Sequence, residues 1–359
     1  MQTGISLYPG LENTLEENLK LINKAAALGV TRLFTSLHLP ESNPDELRQQ
    51  LEPLLSTARK LKLDVAADIS PQTGKILGLT ELNPQAFLDL GVTTVRFDSG
   101  YDLDQLSEFT QTLRVQLNAS TITADQLEEL KAHQANFHHL DALHNFYPRP
   151  HTGLGEEFFT AQNHLLHRFG ISVGAFIACA STKSRRGPLR EGLPTLEDDR
   201  HLPVGLAARH LAALGLDSLF LGDARPTDKE LQKLTSLTDQ TVVLKAHLLN
   251  RSPWVKDLLS RTFTARPDQA RDAIRAQESR SFLAGRLIEP DSSINLERQP
   301  GDITLDNKDY LRYMGELQIL TSEQEADERS NIIARVPREE LFLLKYITPG
   351  RAYRFRLLD

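Results

Sequence analysis

A single cysteine, Cys179, is all that this chain of 359 residues carries, which excludes an internal disulfide. It sits in the apolar run 176–180 and reads as a buried small hydrophobe, not a nucleophile. No apolar run approaches the ~20 residues that cross a bilayer, so membrane insertion is not expected. The opening Met-Gln-Thr-Gly-Ile-Ser has neither the basic n-region nor the apolar h-region of a leader, and the cytoplasm is the expected compartment. A basic excess is missing too. Forty-one Lys and Arg stand against 48 Asp and Glu, a net charge of −7, so the chain is not built around a sequence-independent grip on nucleic acid. Metal-binding patterns are also missing: there is no His-x-His, His-Glu-x-x-His or Cys-x-x-Cys, and His38, His138, His139, His144, His151 and His201 lie on separate segments. His138 and His139, read as strand neighbours, would point opposite ways and make a poor ligand pair. Neither a metal nor another cofactor is expected.

What is present is an ordinary globular balance, 40% hydrophobic and 25% charged, without repeats or low-complexity stretches. Apolar, β-branched runs recur at 4–8, 31–37, 63–69, 92–98, 113–118, 137–145, 171–178 and 216–222, spaced on average by about 30 residues, the length of one βα unit. Helical patterns lie between them. The stretch 15–28 carries apolar residues on one face, opens at Thr14 with Glu16 and Glu17 behind it, and closes at Gly29. Asn43-Pro44, Asn83-Pro84, Thr123 and Thr195 open others. Leu-Gly or Phe-Gly pairs at 28–29, 90–91, 169–170 and 214–215 each precede a strand. Eight strands alternating with helices predict a (β/α)₈ barrel over residues 1–240, and the lack of Gly-x-Gly-x-x-Gly after the first strand weakens the Rossmann alternative. Beyond Gln240 short strands at 241–248, 261–265, 302–305, 316–320, 331–336 and 351–357 predict a small, mostly β domain over 241–359, with little helix.

Such a barrel presents its chemistry at the C-terminal ends of its strands. Polar residues gather at those ends: Ser6 and Tyr8; Ser36, His38 and Glu41; Asp68 and Ser70; Arg96 and Asp98; Asn118, Ser120 and Thr121; His144, Asn145, Tyr147 and Arg149; and Asp223. Each also has a plain structural reading. Asp68 or Asp98 would serve as helix caps, Arg96 as the partner of a wall carboxylate, and His144 as a satisfied core histidine. The cluster is more specific than any member. The loop 180–197 after the seventh strand carries Lys183, Arg185 and Arg186 for an anion, Gly187 and Gly192 for close backbone approach, and Glu191 and Glu197 as further acids. A solvated basic loop is the alternative.

Several of these segments resemble the 6-phospho-N-acetylmuramidase (MupG) family. They are Gly4-Ile-Ser-Leu-Tyr-Pro9, Phe34-Thr-Ser-Leu-His-Leu-Pro-Glu41, Asp68-Ile-Ser-Pro71, Leu117-Asn-Ala-Ser-Thr121 and His144-Asn-Phe-Tyr-Pro-Arg-Pro-His-Thr-Gly-Leu154. Arg186-Gly-Pro-Leu-Arg-Glu-Gly-Leu-Pro-Thr-Leu-Glu197, Gly222-Asp223, Gly301-Asp-Ile-Thr-Leu-Asp-Asn307 and Arg312-Tyr-Met-Gly-Glu-Leu-Gln-Ile319 join them, and Arg96-Phe-Asp98 is close to the family's Arg-x-Asp after the fourth strand. The resemblance implies a TIM barrel followed by a cyclophilin-like β-domain. It also implies hydrolysis of the disaccharide of N-acetylmuramic acid 6-phosphate and N-acetylglucosamine, in cytoplasmic recycling of bacterial cell-wall fragments after phosphorylating uptake.

Glycoside hydrolysis usually needs two carboxyl groups. Asp68 and Asp98, at the ends of neighbouring strands, are expected roughly 5–10 Å apart, which leaves retaining, inverting and acetamido-assisted routes open. They are the expected catalytic pair, with Glu41 or Glu191 as a replacement for either. Arg149 and Arg186 are expected to hold the phosphate or the lactyl carboxylate. Asn118, His144 and Tyr147 would take sugar hydroxyls, with Ser6, Tyr8, His38, Ser120, Asn145, Glu197 and Asp223 completing the mouth. A non-catalytic carbohydrate- or surface-binding protein is one alternative. A phosphosugar lyase or isomerase is another, although Lys62 and Lys75 flank the third strand and supply no Schiff-base lysine within it. For Asp302, Asn307, Tyr310 and Tyr313 the expected roles are a lid on the barrel, contact with a neighbouring copy in a homo-oligomer, or plain turn formation and packing.

Overall fold

The structure, a computed structural model, describes residues 1–358 other than 38–42, 79–81, 98–101 and 292–296. The chain divides into two compact units, Met1–Gln240 and Thr241–Asp359.

The first unit is a closed barrel of eight parallel strands in chain order. They are β1 (Gln2–Leu7), β2 (Arg32–Ser36), β3 (Asp64–Ile69), β4 (Thr94–Phe97), β5 (Arg114–Asn118), β6 (Leu140–Leu143), β7 (Ser172–Ile177) and β8 (Ser218–Leu221). The helices between them start and stop for local reasons. Thr14 and Glu17 form a reciprocal capping box at the head of the helix Leu15–Ala27, and Thr123 with Gln126 and Thr227 with Glu230 repeat the device. Asn43 and Asn83 cap through their side chains. The four exit glycines, Gly29, Gly91, Gly170 and Gly215, all adopt the left-handed backbone that releases the chain into the next strand.

Two local expectations fail. Thr195 caps no helix: its hydroxyl accepts the N–H of Phe176 and donates to the carbonyl of Asn145, stitching a loop to β7. Residues Phe137–His139 form a 3₁₀ turn with Asn136 as its cap, so His138 and His139 are not strand neighbours. The strand itself begins only at Leu140.

The barrel interior has two characters. Towards the C-terminal ends of the strands it is aromatic, with Tyr8, Phe34, Phe176 and Phe220 in one buried cluster and Phe146 packed against it. Gly4 leaves room for the Phe220 ring, since a Cβ there would lie 2.2 Å from it. At the N-terminal ends, buried Arg32 pairs with Asp141 at 2.7 Å and with Asp64 at 3.0 Å. That layer closes the bottom of the barrel.

The second unit is one mixed sheet curled into a half-barrel. Its strands are β9 (Val242–Leu248), β10 (Thr262–Thr264), β11 (Ala273–Arg275), β12 (Asp302–Asp306), β13 (Leu317–Leu320), β14 (Ser330–Arg335) and β15 (Ala352–Leu358). Their order is β10-β15-β9-β14-β12-β13-β11, and only β15 and β9 run parallel. The three-residue β11 is too short for a periodic pattern, and the helix Pro253–Leu259 and the 3₁₀ stretch Arg338–Tyr346, of seven and nine residues, fall below the window in which helical spacing registers. Asp302 and Asn307 do turn work: Asp302 accepts the N–H of Gln299 and pairs with Arg335, and Asn307 donates to Glu328 and Asn331. Among the described residues no helix is long and apolar enough to cross a membrane.

Candidate active site

Strand register brings the central pair of the mouth together. Asp68 on β3 stands opposite Arg96 on β4, and Arg96 Nη1 donates to Asp68 Oδ1 at 2.8 Å. Both side chains are nearly buried. Arg96 Nη2 donates to Asn145 Oδ1 beyond β6. The ion pair answers the capping alternative for Asp68, since the next helix, Thr73–Leu77, is preceded by Gln72 with no side-chain cap.

A second chain of hydrogen bonds leads from this pair into the wall. The Asn145 N–H donates to Ser120 Oγ at 2.9 Å, Ser120 Oγ lies 3.2 Å from His144 Nδ1, and His144 Nε2 lies 2.9 Å from Asn163 Oδ1. With Asn163 accepting, the ring carries its proton on Nε2 and Nδ1 accepts from Ser120. Burial holds His144 down to about 4, with the positive charge of Arg96 adding to it and the Asn163 bond opposing. His144 is therefore a neutral, doubly engaged spacer. Asn163 was missed in the sequence reading, although the signal is there: it lies on the buried stripe of the helix Glu156–Arg168, between Phe159 and Leu166.

Arg186 closes the mouth from the loop after β7. Its guanidinium carbon lies 4.6 Å from the centre of the Tyr8 ring and 5.2 Å from that of Phe146. The residue is only 7% exposed, and its Nε and Nη1 have no hydrogen-bond partner among the described residues. A buried cation on two aromatic faces with two unpartnered donors has the chemistry to receive an anion. Tyr8 donates to the carbonyl of Gly222, and burial raises its hydroxyl while Arg186 pulls the other way. The rest of the basic loop differs from expectation. Lys183 is exposed, and buried Arg185 turns inward to the carbonyls of Cys179 and Arg200. Gly187 and Gly192 are needed for contacts within the protein: a Cβ at Gly187 would meet Glu12 Oε1 at 2.1 Å, and one at Gly192 would meet Ala178 at 2.8 Å. Glu12, also missed, accepts from the Gly187 N–H and from Arg190, so it ties the loop after β1 to the loop after β7.

Two acids prove to be clamps. Asp223 is fully buried and accepts the backbone N–H groups of Cys179 and Arg186, and burial raises it despite those bonds. Glu197 accepts from both Nε and Nη2 of Arg200 and from the N–H groups of His151 and Gly153, which hold it down at about 2. These bonds lock the loops after β6, β7 and β8 to one another. Glu191 is half-buried, and no hydrogen bond or ion pair engages its carboxylate among the described residues. Ser6 is buried beneath the mouth, Asn118 accepts the N–H of Ser120, Tyr147 is half-buried, and Arg149 is exposed. His38, Glu41 and Asp98 lie outside the described residues. No lysine lies on any of the eight barrel strands, and no group of three His, Cys, Asp or Glu among the described residues could hold a metal.

Residues 3–236 match the family described as 6-phospho-N-acetylmuramidase, N-terminal, and residues 242–356 match 6-phospho-N-acetylmuramidase, C-terminal. Among solved structures the chain is similar to an uncharacterized B. cereus protein at 30% identity, covering 99% of each chain with a TM-score of 0.87. It is also similar to a conserved Enterococcus faecalis protein of unknown function at 34% identity, covering 100% of this chain and 96% of that one with a TM-score of 0.70. No curated protein matches the chain.

Proposed function

We propose, for a chain that belongs to the 6-phospho-N-acetylmuramidase family of glycosidases, that the barrel mouth hydrolyses the bond between N-acetylmuramic acid 6-phosphate and N-acetylglucosamine. The observation that carries the reading is Arg186, a buried guanidinium with two open donors beside an ion-paired carboxylate. In this reading Arg186 takes the 6-phosphate bidentately and stacks against Tyr8 and Phe146, while exposed Arg149 meets the lactyl carboxylate.

Asp68 carries the negative charge that the reaction needs, as nucleophile, base or polariser of the acetamido oxygen. Arg96 fixes its orientation from the neighbouring strand, and Asn145, Ser120 and His144 fix Arg96 in turn. The proton for the leaving oxygen comes from Asp98, with Glu41 or Glu191 as the replacement. Asn118 and Tyr147 receive sugar hydroxyls at the rim. Glu197 and Asp223 act at one remove by holding the loops that carry Arg149 and Arg186. The reaction belongs to the recycling of cell-wall fragments, and we place it in the cytoplasm, where a phosphorylated sugar is retained.

Incubation with the phosphorylated and unphosphorylated disaccharides tests the reading. Release of N-acetylglucosamine from the phosphorylated one supports it, and no release from either overturns it.

A further inference from the structure

The half-barrel of the second unit has a buried face that is not apolar. Along β12 and β13, Ile303, Leu305, Leu317 and Ile319 alternate into the core, while Thr304, Asp306 and Gln318 point to the other side. Register extends that polar face across the sheet: Arg275 on β11 pairs with Gln318, Gln318 with Thr304, and Asp306 with Ser330 on β14. A polar sheet face ordinarily faces water. Here Thr304 is 2% exposed, Glu316 3%, and Asp306 and Arg298 5% each. They line a cavity of about 300 Å³ together with Tyr310, Tyr313, Gln324 and Asp327. That is the lower end of ligand-pocket sizes, and room for about ten waters.

Most of the charges in the cavity are already spent. Arg275 donates to Glu316 Oε1 at 2.6 Å and to Asp268. Asp327 accepts from Arg329 and Tyr310. Arg298 uses Nη2 on the carbonyls of Asp327 and Ser330. Two atoms remain buried and without a partner among the described residues, Arg298 Nη1 and Glu316 Oε2, one a cationic donor and the other an anionic acceptor. An anion alone would satisfy Arg298 but face the carboxyls of Asp306 and Glu316. A cation alone would leave the guanidinium open. No group of His, Cys, Asp and Glu among the described residues is arranged for a metal.

We propose that this cavity binds a small zwitterion, with its carboxylate on Arg298 Nη1 and its primary ammonium on Glu316 Oε2 and Asp306. The site is lined by residues of the second unit alone and does not rest on the reaction assigned to the barrel. Burial, reinforced by Glu316 and Asp327 and opposed by Ser330 and Arg298, raises Asp306 to about 7. Arg275, Tyr310 and Tyr313 are the remaining charged or titratable groups that line the cavity. An arriving ammonium takes the place of the proton on Asp306, so binding at pH 7 releases up to about half a proton.

The test is calorimetric titration of the full chain with glycine, β-alanine and 4-aminobutyrate, zwitterions of increasing span, beside ethylamine and propionate. One zwitterion is expected to bind once per chain, at least about tenfold tighter than either single-charge probe. Its heat is expected to vary with the ionisation enthalpy of the buffer as the proton is released. E316Q and R298K should each weaken binding about tenfold or more. The proposal is overturned if no zwitterion binds, which would mean that the cavity holds only water. It is also overturned if ethylamine or propionate binds as tightly, or if both variants bind like the wild type. Should the variants fail to fold, a crystal structure of the wild-type chain with the tightest probe decides: any location other than between Arg298 and Glu316 overturns the assignment.

Discussion

Arg96 reaches across from β4 to hold Asp68 on β3, Nη1 to Oδ1 at 2.8 Å, while its other terminal nitrogen holds Asn145. One planar fork thus fixes a carboxylate and a loop together. Asp68→Asn removes the charge but keeps the shape, and kcat is expected to fall about 10²- to 10⁴-fold with KM little changed. Arg96→Lys keeps the charge but loses the fork, and a smaller fall of about 10- to 100-fold is expected. Steady-state kinetics on the phosphorylated disaccharide check both. Near wild-type turnover in Asp68→Asn would remove Asp68 from the chemistry.

His144 gives a pH signature in stability. Its folded value of about 4 lies below the ordinary 6.5, so the unfolded chain takes up the proton first. The contribution to stability is full above pH 6.5 and is lost as pH falls through 4, at about 1.4 kcal/mol per unit and about 3 kcal/mol in all. Urea unfolding of wild type and His144→Asn at pH 7.5, 6 and 5 reads it as the difference in slope. Identical pH dependence in the two proteins would contradict a neutral, buried His144. The same burial keeps this ring out of any activity transition near pH 6.5.

The clamp at Glu197 is separable from chemistry. Glu197→Gln weakens the bonds to Arg200 and to one of the two backbone N–H groups, and a loss of about 2–3 kcal/mol in unfolding free energy is expected. Because Glu197 ties the loop carrying Arg149 to the loop carrying Arg186, KM should rise more than kcat falls. A kcat loss as deep as that of Asp68→Asn would make Glu197 a participant in the chemistry.

At the other end of the barrel, Arg32→Met strands Asp141 and Asp64 without their buried partner. A cost of about 3–5 kcal/mol is expected, with kcat per folded molecule unchanged at a temperature where the variant is folded. Chemical denaturation and active-site-normalised kinetics separate the two effects.

Much of this architecture is legible in local chemistry. The Thr14–Glu17 capping box and the left-handed glycines at 29, 91, 170 and 215 are properties of a few adjacent residues, and with the eight apolar runs they mark the βα repeat. The mouth is less legible, because charge type does not tell where a side chain points. Arg185 and Arg186 are neighbours in one basic loop, yet one turns to backbone carbonyls and the other stacks on Tyr8 and Phe146. Glu197 and Asp223 read as acids at strand ends, and only the tertiary structure shows their oxygens occupied by N–H groups from other loops. Thr195 followed the pattern of a helix cap, but its hydroxyl is used on β7 and on the loop after β6. Three-residue β11 is too short for any periodicity to register.

Whether Arg186 makes the mouth a phosphosugar site is read from the ratio of kcat/KM for the phosphorylated over the unphosphorylated disaccharide, in wild type and in Arg186→Met. A strong wild-type preference for the phosphorylated substrate is expected, with a collapse of that ratio by about 10- to 100-fold in the variant, the size of a lost charge-assisted contact. A ratio that stays the same in Arg186→Met, whether or not overall activity falls, would contradict it.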